Sequence, residues 1–208
     1  MRLLRGRVRA PALSAHLRLG GNLPPPSSEE TVLWLDTAQG AISAAEAEAA
    51  RLGYVPVWLG EVSGEARSVG AIHSGLALQA RSEGRRVAIM SGGELTVTLG
   101  PPPHGSGGPN QEYALALAAA LGGAAGVHAI AADTDGCDGP PGDLGPLAGA
   151  RISPCTLSRA TRAGLDPEAA LAGHTSSAFF SGIGDAVVTG PTSTNINDFR
   201  CVLVDGAS

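Results

Sequence analysis

The chain has 208 residues, 43% of them hydrophobic, and a formal net charge of −5 at pH 7. That length is enough to bury a proper core in one large domain, or in a domain with an appendage. The acidic balance argues against nucleic acid as the main partner, because a phosphate-binding face needs a dense basic patch. No run of about 18 apolar residues occurs, so no membrane span is expected.

Finer composition narrows the chemistry. All 14 basic side chains are Arg, and Lys is absent. No lysine ammonium is therefore available as a phosphate clamp, a general base or a Schiff-base amine. Aromatic residues make up only 3%, which leaves the core to Leu, Val, Ile and Ala. Cys137, Cys155 and Cys201 are odd in number and far apart, which reads as a reducing, cytoplasmic setting. The five His residues lack metal-ligand spacing. The basic start, Met1-Arg2-Leu3-Leu4-Arg5, has no apolar segment behind it, so no signal peptide is expected.

Residues 1–30 read as a peripheral tail with a short helix over 12–19, broken by Gly20-Gly21 and Pro24-Pro25-Pro26. Residues 31–208 read as an α/β domain. Thr31–Leu35 is rich in strand formers. Ala41–Leu52 is rich in Ala and Glu and stops at Gly53, a C-cap signal. Tyr54–Leu59 is a second strand. Residues 64–82 carry apolar side chains at helical spacing and stop at Gly84. Val87–Met90 is a third strand, and Leu95–Leu99 alternates like a fourth. Residues 110–121 form a helix, and residues 126–132 a strand. A long Gly, Pro and Asp loop runs over 133–147, the kind that carries function. Short helices follow near 156–163, 167–172 and 177–183, and Ala186–Thr189 and Phe199–Val204 close the sheet. Alternation of strands with helices predicts a mixed, largely parallel sheet flanked by helices.

Four polar motifs stand where apolar runs end. In an open α/β sheet, loops beyond the carboxyl ends of strands share one rim, where ligands bind. In Ser91-Gly92-Gly93-Glu94, two glycines let backbone N–H groups approach an anion; the same residues also suit a tight turn. Gly107-Gly108-Pro109-Asn110-Gln111-Glu112 opens a helix, with Asn110 as candidate N-cap; a helix N-terminus takes anions, and ordinary capping is the alternative. Asp133-Thr134-Asp135-Gly136, with Asp138 and Asp143, gathers carboxylates. These suit Mg²⁺ ligation, with Asp135 and Asp138 as candidates, or removal of a proton from a substrate hydroxyl; a solvated turn is the other reading. Thr192-Ser193-Thr194-Asn195 with Asn197-Asp198 offers hydroxyls and amides to a hydroxy acid or phosphate, or bonds to its own turn. No P-loop exists, because its Lys is missing, and no G-x-G-x-x-G follows a strand, which leaves nicotinamide binding unsupported.

Together these motifs resemble the C-terminal part of the glycerate 2-kinase family that carries the MOFRL domain, many of whose members were once labelled hydroxypyruvate reductases. Residues 87–205 carry the likeness strongly and residues 24–86 weakly. The resemblance implies ATP-dependent phosphorylation of D-glycerate with a divalent metal, in a cleft between two domains. ATP and Mg²⁺ are the implied cofactors. Asp135 and Asn110 are the implied catalytic residues. Ser91, Gly92, Gly93, Glu94, Gln111, Glu112, Thr134, Gly136, Thr192, Thr194, Asn195 and Asn197 are the implied ligand contacts. Several family groups are replaced: the motif Arg is Pro109, the Gly before Thr134 is Asp133, a motif Gly is Ser193, and an Asn-Asp pair is His174-Thr175. The family's first domain supplies a catalytic lysine, and no Lys here replaces it. The expected outcome is a chain inactive alone, completed by a separate chain with the missing domain. A degenerate binding or protein-interaction module is the alternative, and homo-oligomerisation stays open.

Overall fold

A six-stranded sheet organises the described part of the molecule. The computed structural model describes residues 38–140 and 142–206, all within one compact unit, Asp36–Ser208. The expected tail, its helix and the Thr31–Leu35 strand lie outside the described residues, as does the domain boundary near residue 30.

The elements follow from local sequence. Helix α1 (Ala38–Arg51) is built from Ala and Glu, and Gly53 turns the chain out of it at φ +82°. Strand β1 (Val55–Glu61) leads to the two-residue β2 (Gly64–Glu65) and then helix α2 (Ala66–Ser82). Strand β3 (Val87–Gly92) is buried at all six residues, as befits a strand covered on both faces. The expected fourth strand shrinks to β4 (Leu95–Thr96), which pairs only with β2. Helix α3 (Pro109–Leu121) has Pro at its first turn and left-handed Gly122 as its C-cap. Strand β5 (Val127–Asp133) buries alternate residues, Val127, Ala129 and Ala131. Strand β6 (Gly149–Ile152) precedes helices α4 (Thr156–Arg162), α5 (Pro167–Ala172) and α6 (Ser176–Gly182). The short β7 (Ala186–Val187) and β8 (Asp198–Val204) complete the sheet.

The sheet is mixed, but the expected parallel pairing does not dominate. Within the six-stranded order β1-β3-β8-β5-β6-β7, only β1 and β3 pair in parallel, and β3–β8, β8–β5, β5–β6 and β6–β7 are antiparallel; the separate β2–β4 pair is parallel. The cause is β8, which arrives last in the chain and inserts between β3 and β5. Those two strands run in the same direction yet never pair. Strand β6 is an element that periodicity does not reveal. Its four residues, Gly-Ala-Arg-Ile, are too few to show a period, and a Cβ on Gly149 would lie 2.0 Å from Ala131 O.

One face of the sheet carries the main core. Val87, Ile89, Val127, Ala129, Val202 and Val204 meet α2 and α3 there. Gly70 lets those two helices approach closely, since a Cβ on it would lie 2.8 Å from Tyr113 O. On the other face, Ala45 and Ala49 of α1 pack with Ala88, Met90, Trp58 and Leu203.

Candidate functional site

The strand directions bring the four motifs together. Strands β3 and β5 end where β8 begins, so Ser91–Glu94, 133–138 and 189–198 share one edge of the sheet. The first turn of α3 adds Asn110 to the same place through its contacts.

A buried arginine joins these pieces. Arg200 is 1% exposed, and its neighbours Val202 and Val204 are buried on the same face of β8. Its Nε donates to Ser91 Oγ at 3.2 Å. Nη1 donates to Asn110 Oδ1 at 3.2 Å and to Asp198 Oδ2 at 2.9 Å. Nη2 donates to Gly92 O and, at 3.0 Å, to Gly93 O. The guanidinium also lies 5.9 Å from the centre of the Tyr113 ring. Such a planar fork suits several fixed acceptors at once, as an ammonium does not. Burial still holds Asp198 above the ordinary carboxylate range, although Asn110 and Arg200 oppose the shift. Behind this hub, Tyr113 OH and His73 Nδ1 lie 2.9 Å apart. Burial, helped by the Arg200 charge, lowers the His73 pKa to about 4, so its ring is neutral near pH 7.

Asp138 has a different job from the metal ligation expected of it. Its Oδ1 accepts from the backbone N–H of Asn110 at 2.9 Å and from Asn110 Nδ2 at 3.2 Å. Its Oδ2 accepts from the backbone N–H of Gln111 at 2.8 Å and from Gln111 Nε2 at 3.0 Å. Asp138 therefore caps α3 from a distant loop and satisfies helix N–H groups that have no intrahelical partner. Asn110 is not the N-cap; Gly108 holds that position, because Pro109 already begins the helix. Gly108 has to be small, since a Cβ there would lie 2.1 Å from Asp138 O. Burial pushes the Asp138 carboxyl up to about 6, against the pull of its N–H donors.

Two expected ligand contacts point elsewhere. Consecutive helical residues are about 100° apart, so Asn110, Gln111 and Glu112 face three directions. The Gln111 amide is enclosed between Asp138 and Ser177, whose hydroxyl donates to Gln111 Oε1 at 2.8 Å. Buried Glu112 pairs with Arg67 at 2.5 Å and lies 3.2 Å from His174 Nδ1. Both side chains fasten α3 to its neighbours and stand off the rim.

The remaining candidates gather beyond β5. Thr134 Oγ1 donates to Asn197 O at 2.7 Å and accepts from the Ile196 N–H at 2.9 Å. Thr192 Oγ1 donates to Thr134 O at 2.5 Å, and the Thr192 N–H donates to Asp135 O at 3.1 Å. These bonds fold 189–197 over 133–137. Gly136, at φ +98°, allows the approach, since a Cβ there would lie 2.1 Å from Gly190 O. Asp135, Gly136, Cys137, Ser193, Thr194 and Asn195 then line an open cavity of about 550 Å³, together with Pro146 and Pro191. That volume lies in the range of small-molecule sites, about 300–1,000 Å³. Glu94 is exposed on the rim, and its charge acts on Asp198. Asp133 is held above the ordinary range by burial and by the charges of Asp135 and Asp198. Among the described residues, no group of three or more His, Cys, Asp or Glu side chains is placed to hold a metal ion. Asp135 alone is a carboxylate on the cavity wall, which fits the protein share of a Mg²⁺ that takes its other ligands from phosphates and water.

Two loops, one carrying Asp135 and Pro146 and the other Pro191 to Asn195, thus meet around an open cavity at one sheet edge of an α/β domain. The MOFRL family profile matches residues 87–198, and the chain belongs to the MOFRL family. It is 49% identical over 169 residues to a protein from Agrobacterium vitis that bears the provisional name hydroxypyruvate reductase, covering 79% of this chain and 38% of that one. It is 33% identical over 162 residues to the glycerate 2-kinase of Pyrococcus horikoshii, covering 76% of this chain and 36% of that one. The crystal structure of glycerate kinase from Thermotoga maritima superposes with a TM-score of 0.75 at 28% identity, covering 93% of this chain and 49% of that one. The chain spans less than half the length of these relatives. None of its described helices is long and apolar enough to cross a membrane.

Proposed function

We propose that this domain forms one wall of a glycerate 2-kinase site, where ATP phosphorylates D-glycerate to 2-phosphoglycerate. Turnover then requires the remaining part of the family fold. The observation behind this reading is the open cavity that places Asp135, Thr194 and Asn195 on one wall, at the same sheet edge as the Asn110–Arg200–Asp198 hub. In it, Asp135 accepts the proton of the substrate hydroxyl, and the hydroxyls and amides of Thr194 and Asn195 orient the acid. Asp135 would also hold Mg²⁺, which when bound neutralises phosphate charge.

Pro109 favours a second reading, a binding module without catalysis. It fits the first helical turn but offers no guanidinium to a transferring phosphoryl group, and loss of such a group costs orders of magnitude in rate. A coupled assay for ADP separates the two. The chain alone should give no glycerate-dependent ADP. Mixed with the N-terminal domain of a glycerate 2-kinase relative, Pro109→Arg should turn over at least about 100-fold faster than the parent chain. No gain would favour the binding module.

A further inference from the structure

Arg200 Nη2 donates to two consecutive carbonyls, Gly92 O and Gly93 O. Both peptides that follow are trans. In a trans peptide the carbonyl and the next N–H point to opposite sides. The N–H groups of Gly93 and Glu94 are therefore turned away from the guanidinium. Neither has a hydrogen-bond acceptor among the described residues. Gly93 is buried and Glu94 exposed, so the pair opens to solvent at the Glu94 end. A backbone donor shielded from water without a partner is costly, and adjacent N–H groups aimed the same way suit an anionic oxygen. The guanidinium itself reaches no ligand. It is enclosed by Ser91, Asn110, Asp198 and the two carbonyls.

We propose that Arg200 is a positioning residue: it orients the Gly92 and Gly93 peptides so that the N–H groups of Gly93 and Glu94 cradle an oxyanion. The oxyanion is a carboxylate of a small hydroxy acid or an oxygen of phosphate. Naming a hydroxy acid rests on the glycerate kinase reading; the cradle itself does not.

Amide NMR on the full chain tests this with inorganic phosphate and D-glycerate as probes and chloride as control. The Gly93 and Glu94 amide signals should shift saturably. Saturation by glycerate alone identifies a carboxylate site, and by phosphate alone a phosphate site. Glu94→Pro deletes one cradle N–H at no cost in protein hydrogen bonds, and Glu94→Ala controls for the lost charge. The Pro variant should bind at least about tenfold more weakly than the Ala variant, roughly one hydrogen bond to a charged group. Arg200→Lys keeps the charge but not the fork, and it should lose a similar factor. If Arg200→Lys does not fold, Ser91→Ala, which frees Nε and leaves the cradle intact, should weaken binding in the same direction. Static wild-type amides with both anions, or equal affinity in the Pro and Ala variants, would overturn the cradle. Unchanged affinity in the folded Arg200→Lys protein, or in Ser91→Ala where that substitutes for it, would overturn the role of Arg200. Saturable shifts without kinase turnover sink only the catalytic reading, while static amides beside an active complemented enzyme sink only the cradle.

Discussion

Asp138→Ala sets two opposing effects against each other. The carboxylate accepts four N–H bonds from Asn110 and Gln111, which favours its ionised form. Burial disfavours that form, and it wins: the carboxyl is pushed from 3.8 to about 6. A folded pKa above the unfolded one means that the native state binds the extra proton. The resulting stability is fully present below pH 3.8 and is lost as pH rises through about 6. The full shift corresponds to about 3 kcal/mol, the difference between pH well below 3.8 and pH well above 6. The substitution also strands buried N–H donors, at about 1–3 kcal/mol each. Asp138→Ala should therefore destabilise at every pH, and by about 2 kcal/mol more near pH 4 than near pH 8. Urea denaturation of both proteins across this range measures the difference. Titrating groups remote from Asp138 cancel in the subtraction, whereas Asp198, whose charge raises the Asp138 carboxyl, adds a smaller change of its own. A destabilisation that grows with pH would mean that the N–H donors outweigh burial, and it would refute the reasoning.

Gly70→Ala places a methyl 2.8 Å from Tyr113 O and 3.2 Å from Ala116 Cβ, at the α2–α3 contact. It should cost about 1–3 kcal/mol, read as a lower Tm, and an unchanged Tm would show that the helices separate freely. Thr134→Val keeps the side-chain shape but loses the bonds to Asn197 O and the Ile196 N–H. Hydrogen exchange at Ile196 should then speed up about tenfold, while exchange in β3 stays unchanged.

The local elements were legible where apolar residues recur at a helical or strand period. Helices α1, α2 and α3 and strands β1, β3, β5 and β8 all fall near their expected places. Strand β6 was not, because four small residues carry no period. Arg200 left one trace: a charged residue in step with Val202 and Val204 on the inward face of β8. That trace marks an arginine that must find partners, but the partners are 90 to 138 residues away in sequence, apart from Asp198.

Composition and spacing by themselves determined an α/β domain without lysine chemistry and with polar loops after its strands, and the motifs in those loops carried the resemblance to the MOFRL family. Tertiary structure alone decided what each polar side chain does. Asp138 became a helix cap, Glu112 an ion-pair partner of Arg67, and Asp135 a wall of the open cavity. The reason is that the same carboxylate can cap, pair or face a ligand, and only the groups that folding brings within hydrogen-bond reach select among these roles.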